Sequence, residues 1–229
     1  MNLFYIPEVK PDTKTIVLSE EESKHACRVL RLKVGDQLRL LDGVGGSYVA
    51  EIADDHPKHC QVSIVSYTFE QPAEQEIHIA IAPTKNNERL EWFLEKATEL
   101  GITEVSLVVC SNSERKQVKE ERFEKILIAA MKQSQRTYLP RLNGLISFKD
   151  FLRKHPQGAI AHCYAGEKKA IKDVMKPSNY PILIGPEGDF SREEVDAALQ
   201  LGYDVVSLGT NRLRTETAGL YACMLCLKN

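Results

Sequence analysis

Three glycine-bearing stretches in the last third of the chain carry residue types suited to holding a ligand. They are Tyr164-Ala-Gly-Glu167, Gly185-Pro-Glu-Gly-Asp-Phe-Ser191 and Gly209-Thr-Asn-Arg-Leu-Arg-Thr-Glu-Thr217. Each follows a short apolar run, over 159–164, 182–185 and 205–208. In open α/β sheets, ligands bind outside the carboxyl ends of the strands, near a point where the strand order reverses. Glycine there lets a ligand approach the main chain closely. Exposed N–H and C=O groups in such loops can read an adenine edge without help from side chains, which suits a nucleotide-like ligand. The loops match neither the phosphate-cradling loop nor the dinucleotide fingerprint, because the spacing and the Lys-Ser/Thr pair are missing. Tight turns between helices and strands use glycine for the same conformational reason, so the glycines alone leave both readings open.

Other candidate chemistry is weaker. Of six cysteines, only Cys223 and Cys226 form a C-x-x-C, inside an apolar run that reads as a helix. No second Cys pair or His pair stands at zinc spacing, so no metal is expected. The chain shows no signal-peptide pattern and no apolar run of membrane-spanning length, so a cytoplasmic, reducing location with free thiols is expected. The 229 residues carry a net charge of −2, with 43% hydrophobic residues. That excludes a disordered chain and a protein that binds nucleic acid by bulk charge. The balance is uneven: residues 1–70 sum to −3 and 71–229 to +1, while 111–141 holds eight basic and four acidic side chains. Such a stretch suits phosphates, although a solvated helix face laced with Glu–Lys pairs looks the same.

The elements that must position these loops follow from pattern. Residues 1–70 read as β-rich: short strands at 15–18, 37–41, 48–52 and 62–69, a helix from the cap Ser19 to about Leu30, and a glycine-rich hairpin turn at 42–47. A polar linker follows at 70–75. Then strands at 77–82 and 105–110 alternate with helices at 88–100 and 118–135, with a further helix at 148–154. A second capping box, Ser191 with Glu194, opens a helix to about Leu201, and 214–227 reads as the last helix. Apolar strands alternating with helices predict an α/β domain with a mostly parallel, doubly covered sheet.

The wording of the loops says more. Ile184-Gly-Pro-Glu-Gly-Asp-Phe-Ser-Arg-Glu-Glu194 and Ser207-Leu-Gly-Thr-Asn-Arg-Leu-Arg-Thr-Glu-Thr-Ala218 strongly resemble the RsmE family, ribosomal RNA small subunit methyltransferases of the SPOUT superfamily. The resemblance extends over nearly the whole chain. It includes the stretch from His25 to Asp36, the one from Lys85 to Gly101, and Gln133-Ser-Gln-Arg-Thr-Tyr-Leu-Pro140. Two positions depart from the family's wording. Asp189 stands where a glycine is usual, and Asn211 where an arginine is usual, with Arg212 beside it.

The resemblance implies a PUA-like β-barrel that binds RNA over 1–70, followed by a SPOUT α/β methyltransferase domain over 71–229 whose C-terminal part is tied in a trefoil knot. It implies S-adenosylmethionine (SAM) as cofactor, 16S rRNA of the small ribosomal subunit as partner, N3-methyluridine as product, and a homodimer. Arg214 and Glu187 are the candidate catalytic side chains. Arg214 would stabilise the uracil anion, and Glu187 would act as base or as a brace for backbone N–H groups. Glu216 carries the same pair of readings. For SAM the expected contacts are Leu183, Ile184, Gly185, Pro186, Gly188, Ser207, Leu208, Gly209, Leu213, Arg214, Thr217 and Ala218. RNA would be gripped by Arg28 and Arg31 in the small domain, and by Lys85, Arg89, Arg115, Lys116 and Arg136 in the large one. Alternatives are a non-catalytic RNA-binding protein, a SPOUT methyltransferase acting on another RNA or on a protein, and a thiol or metal protein built on Cys223 and Cys226.

Overall fold

A computed structural model describes residues 1–176 and 178–227. They form two units: Met1–Pro72 together with Met131–Leu139, and Ala73–Ala130 together with Pro140–Asn229.

The first unit is built on a five-stranded sheet. Its strands are β1 (Leu3–Tyr5), β2 (Thr15–Val17), β3 (Gln37–Leu41), β4 (Gly46–Asp54) and β5 (Gln61–Phe69). They lie in the order β1-β3-β4-β5-β2, with the β3–β4, β4–β5 and β5–β2 pairs antiparallel and β1 parallel to β3. Alternation along the strands sends Phe4, Leu38, Leu40, Tyr48, Ala50, Ile52 and Val62 into one core. The expected hairpin is present, and its turn is closed by Asp42. Its Oδ1 accepts from the backbone N–H groups of Val44 and Gly46, and its Oδ2 accepts from the Tyr48 hydroxyl. Helix α1 (Glu20–Lys24) starts at the expected cap, where Ser19 accepts from the Glu22 N–H, and runs on into a π-helical turn over His25–Val29. Residues 131–139 join this unit through Thr137 and Tyr138, whose hydroxyls donate to the side chain and carbonyl of Glu70.

The second unit holds a seven-stranded sheet. Its strands are β6 (His78–Ile81), β7 (Glu104–Val109), β8 (Arg141–Ser147), β9 (Ala159–Ala161), β10 (Lys169–Ala170), β11 (Ile182–Ile184) and β12 (Asp204–Ser207). The order is β10-β12-β9-β11-β6-β7-β8, and every pairing is parallel. Burial explains the unbroken apolar runs, since β6 and β11 are buried at every position. The chain moves outward from β6 to β8, returns at β9, and then inserts β11 between β6 and β9. That reversal sets the crevice described below.

Among the described residues the helices after the first unit's strands are α2 (Asn87–Leu100), α3 (Glu120–Gln133, whose last residues group with the first unit), α4 (Phe148–Lys154), α5 (Ile171–Val174), α6 (Arg192–Gln200) and α7 (Thr215–Cys226). Asn86 caps α2, and Gly101 ends it with φ +94°. The capping box of α6 is complete in both directions, and Glu194 also accepts the Ser111 N–H at 2.7 Å. Helices α2 and α7 pack closely at Gly219, where a Cβ would lie 2.9 Å from both Ile81 and Phe93.

Strand β8 has no counterpart in the expectations, because Asn143 and Gly144 interrupt its apolar pattern. Both residues answer to tertiary contacts. Asn143 donates to Glu104 and Ser106, and a Cβ at Gly144 would sit 2.8 Å from Glu120 Oε1. The run at 159–164 is a strand only to Ala161; beyond it the chain is already loop. No described helix is long and apolar enough to cross a membrane.

Candidate functional site

The three glycine-bearing loops lie at the carboxyl ends of β9, β11 and β12, adjacent or near-adjacent strands at the reversal. Tyr164, Ala165, Gly166 and Glu167 line a separate cavity of about 300 Å³, while the loops after β11 and β12, with Ala161, His162, Cys163 and Lys168, wall one of about 630 Å³. That falls in the range of pockets that enclose a drug-sized ligand. Ile184, Val206, Leu208, Leu213 and Ala218 give it apolar surface, and Ser207, Thr210 and Asn211 add polar groups. The loops are tied to one another. The Thr215 hydroxyl donates to the Gly185 carbonyl, joining the start of α7 to the loop after β11. The Asp189 carboxylate accepts the Cys163 N–H at 2.7 Å, joining the loops after β9 and β11. Asn112 donates to the carbonyls of Gly188 and Asp189, fixing the same turn from β7.

Most expected cofactor residues line this cavity: Ile184, Gly185, Pro186, Ser207, Leu208, Gly209, Leu213, Arg214 and Ala218. Three stand elsewhere. Leu183 points into the sheet core, fully buried, because alternation along β11 turns it away from the strand end. Gly188 faces Asn112. Thr217 lines a second cavity, of about 680 Å³, between α2 and the start of α7. Arg212, Leu213 and Arg214 border both cavities. The second is completed by Asn86, Glu88, Arg89, Trp92 and Glu216. Sequence reasoning missed His162, Cys163, Lys168 and Asp189 on the first wall. The Asp189 departure was the available signal: its φ of +63° explains why glycine is usual there, and aspartate tolerates the left-handed region while bonding locally.

Two candidate acidic groups differ sharply. Glu187 is exposed, and its Oε1 accepts the Lys85 N–H at 3.0 Å. Glu216 is 6% exposed, its Oε1 lies 3.8 Å from Arg89 Nε, and its Oε2 has no hydrogen-bond partner among the described residues. Burial holds the His162 imidazole below its usual value, and Lys168 adds to the effect. Burial, reinforced by Asp189, pushes the Cys163 thiol up.

The expected RNA contacts are distributed as follows. Arg28 and Arg31 are exposed in the first unit, Arg31 with φ +57°. Arg136 lies in that unit's 131–139 segment and is half-buried. In the second unit, Lys116 is exposed, Lys85 pairs with Glu114 at 2.8 Å, and Arg89 faces Glu216. Arg115 is turned inward instead: its guanidinium donates to the carbonyls of Thr84 and Lys85 and so braces the loop that Glu187 also holds. Cys223 and Cys226 are buried, with burial pushing Cys226 up to about 12. Among the described residues no group of three or more His, Cys, Asp or Glu side chains is arranged to hold a metal ion.

Comparison with known proteins bears on this geometry. Residues 71–227 match the family described as RNA methyltransferase domain, and 18–65 match the RNA methyltransferase PUA domain. The chain is 30% identical to ribosomal RNA small subunit methyltransferase E of Rickettsia conorii, over 96% of this chain and 93% of that one. A crystal structure of a probable rRNA-methyltransferase from Porphyromonas gingivalis superposes with a TM-score of 0.88 at 41% identity, covering 98% of this chain and 96% of that one. The ribosomal RNA small subunit methyltransferase E of Neisseria gonorrhoeae, solved bound to S-adenosyl methionine, superposes at 0.86 with 26% identity, covering 98% and 95%.

Proposed function

We propose a function on the premise that this chain belongs to the RNA methyltransferase family, in the group of ribosomal RNA small subunit methyltransferase E: it is a SAM-dependent enzyme that methylates N3 of one uridine in 16S rRNA. The observation that carries the reading is the cavity after β9, β11 and β12, which shares Arg212, Leu213 and Arg214 as lining with a second cavity of similar size. Two adjoining chambers suit a transfer between two bound molecules.

The residues of the first cavity fit SAM. Ile184, Val206, Leu208, Leu213 and Ala218 offer apolar surface for an adenine ring, and the loop backbone offers donors and acceptors for its edge. Gly209 needs its φ of +97° to turn the loop, a conformation costly for other residues. When bound, SAM supplies a methyl group on a sulfonium, an electrophile that needs no further activation. The protein supplies placement and charge. Arg214 stands at the cap position of α7 with its side chain exposed toward the cavities. Its permanent positive charge stabilises the negative charge that grows on uracil N3 and the flanking carbonyls. Glu187, held on the Lys85 N–H, braces the loop in this reading and handles no proton. Arg28, Arg31, Lys85, Arg89 and Lys116 contribute phosphate contacts that place the RNA without reading its sequence.

Residues 1–70 serve as the PUA-like RNA-binding domain and 71–229 as the catalytic domain, with a trefoil knot in its C-terminal part. The enzyme works in the cytoplasm as a homodimer. In support of the dimer, Tyr221, Met224 and Leu225 are exposed at helical spacing along α7, an apolar stripe that a second copy would cover. The direct test is incubation with labelled SAM and small ribosomal subunits that lack their modifications, followed by nucleoside analysis. Label in N3-methyluridine supports the reading. Label in another nucleoside points to a methyltransferase of different specificity, and absence of SAM binding points to an RNA-binding protein without catalysis.

A further inference from the structure

On the methyltransferase reading, we propose that the second cavity receives the target uracil and that Glu216 is the group that accepts its N3 proton. The donor and acceptor of a methyl group must meet over a short path. The two cavities have Arg212, Leu213 and Arg214 as a common wall, so ligands in them face each other across three residues.

Glu216 is the unusual group in the second chamber. Buried carboxylate oxygens are nearly always hydrogen-bonded, and an orphan calls for an explanation. Its Oε2 is such an orphan among the described residues. Its Oε1 is 3.8 Å from Arg89 Nε, beyond hydrogen-bonding distance. An ionised carboxylate only accepts. Uracil presents a donor at N3 where cytosine presents an acceptor, so a carboxylate at this position satisfies itself with uracil and repels cytosine. Glu187 is exposed and lines the first cavity instead of the second, with its Oε1 on the Lys85 N–H. Trp92, 43% exposed at the cavity wall, provides a plane for the unstacked base, and Arg89 and Arg214 bring positive charge toward the carbonyls that flank N3.

The transfer balances as follows. The N3–H bond breaks and its proton passes to the Glu216 carboxylate. The N3 electron pair forms the bond to the methyl carbon. The sulfur–carbon bond breaks with its pair remaining on sulfur, leaving S-adenosylhomocysteine, and the carboxyl returns its proton to solvent after release.

The test uses the full chain, labelled SAM and unmodified small subunits. With Glu216→Gln, the rate at saturating substrate should fall roughly 100-fold or more, while SAM binding measured by calorimetry stays within a few-fold. Raising the pH toward ionisation of the uracil imide should then restore turnover in the variant far more than in the wild type, because an N3 already deprotonated needs no acceptor. Undiminished turnover, a loss that pH does not relieve, or a matching loss of SAM binding would each overturn the proposal. Should Glu216→Gln fail to fold, Trp92→Ala decides. A KM for subunits raised about tenfold with unchanged SAM binding supports the base pocket, and an unchanged KM overturns it. A wild-type enzyme that methylates no uridine removes the underlying reading, and this proposal with it. An active wild type matched by its Glu216→Gln variant removes only the assignment of Glu216.

Discussion

The carboxylate of Asp189 accepts the backbone N–H of Cys163 at 2.7 Å, with its other oxygen on the Phe190 N–H, so one side chain ties the loop after β9 to the loop after β11. It does so from a backbone φ of +63°. The residue that departs from the family's wording thus replaces the conformational freedom of glycine with a cross-link between two walls of the first cavity.

This yields a graded expectation. Asp189→Ala keeps the positive φ but loses both hydrogen bonds, and should cost about 1–3 kcal/mol of stability with a several-fold loss of SAM affinity. Asp189→Gly relieves the backbone and should cost less. Thermal denaturation and calorimetry on the pair measure the order: an alanine variant as stable as the glycine one would remove the backbone argument, and a glycine variant no less stable than an Asp189→Asn variant that keeps an acceptor would remove the cross-link argument.

On the proposed function, in which the Arg214 charge acts on the uracil and the cofactor rests on backbone and apolar surface, Arg214→Ala should abolish methyl transfer and leave SAM affinity within a few-fold. Single-turnover rates set beside binding constants test this. Parallel loss of both would assign Arg214 to shaping the loop.

Acid should unfold the second unit through His78. The side chain is 5% exposed at the start of β6, with Nε2 2.8 Å from Ser106 Oγ and 3.8 Å from Glu104 Oε1. Burial pushes its imidazole down to about 4, against the pull of Glu104 and reinforced by His155 and Arg141. The folded state therefore holds His78 neutral, while the unfolded chain takes up a proton below the ordinary value near 6.5. The contribution is complete above that value and is lost as pH falls toward 4, on the order of 3 kcal/mol in all. Burial opposes ionisation of Glu104, yet the Asn143 hydrogen bond and the Arg141 charge, joined by His78 once it is protonated, hold its carboxyl below the ordinary range, so its share is lost on the same side at lower pH. Urea denaturation from pH 7.5 to 4.5 should show the decline, and His78→Gln should flatten it.

Helix packing at Gly219 leaves no room for a branched side chain. Gly219→Val should destabilise the protein by about 1–3 kcal/mol, because its Cβ would press on Ile81 and Phe93 from 2.9 Å. A denaturation midpoint equal to that of the wild type would contradict the packing.

RNA binding should weaken steeply with salt. Removing the exposed Arg28 and Arg31 together should lower the slope of log K against log salt by about 1–2, one for each lost phosphate contact, with no change in sequence preference. Titrations at several salt concentrations measure the slope, and an unchanged one would place the RNA elsewhere.

Much of the site was legible in the sequence because its determinants are local. The capping box at Ser191 and Glu194, the positive-φ glycines and the short apolar strands each express a rule that acts within a few residues. The chemistry of the loops came from wording shared with a family. What escaped was set by pairing across long separations. Strand β8 exists because Asn143 and Gly144 meet Glu104, Ser106 and Glu120, partners 24 to 39 residues away. The 131–139 segment groups with Met1–Pro72 through Glu70, far from it in the chain. Leu183, Gly188 and Thr217 shared the motif of the cofactor loops, yet strand alternation and helix phase turned them to other surfaces. The sequence by itself marked the loops after β11 and β12, which wall the first cavity, since residue type and spacing act locally. Only the tertiary structure decided that Glu187 is bonded while Glu216 Oε2 is not, because whether a carboxylate is satisfied depends on the groups that the fold brings beside it.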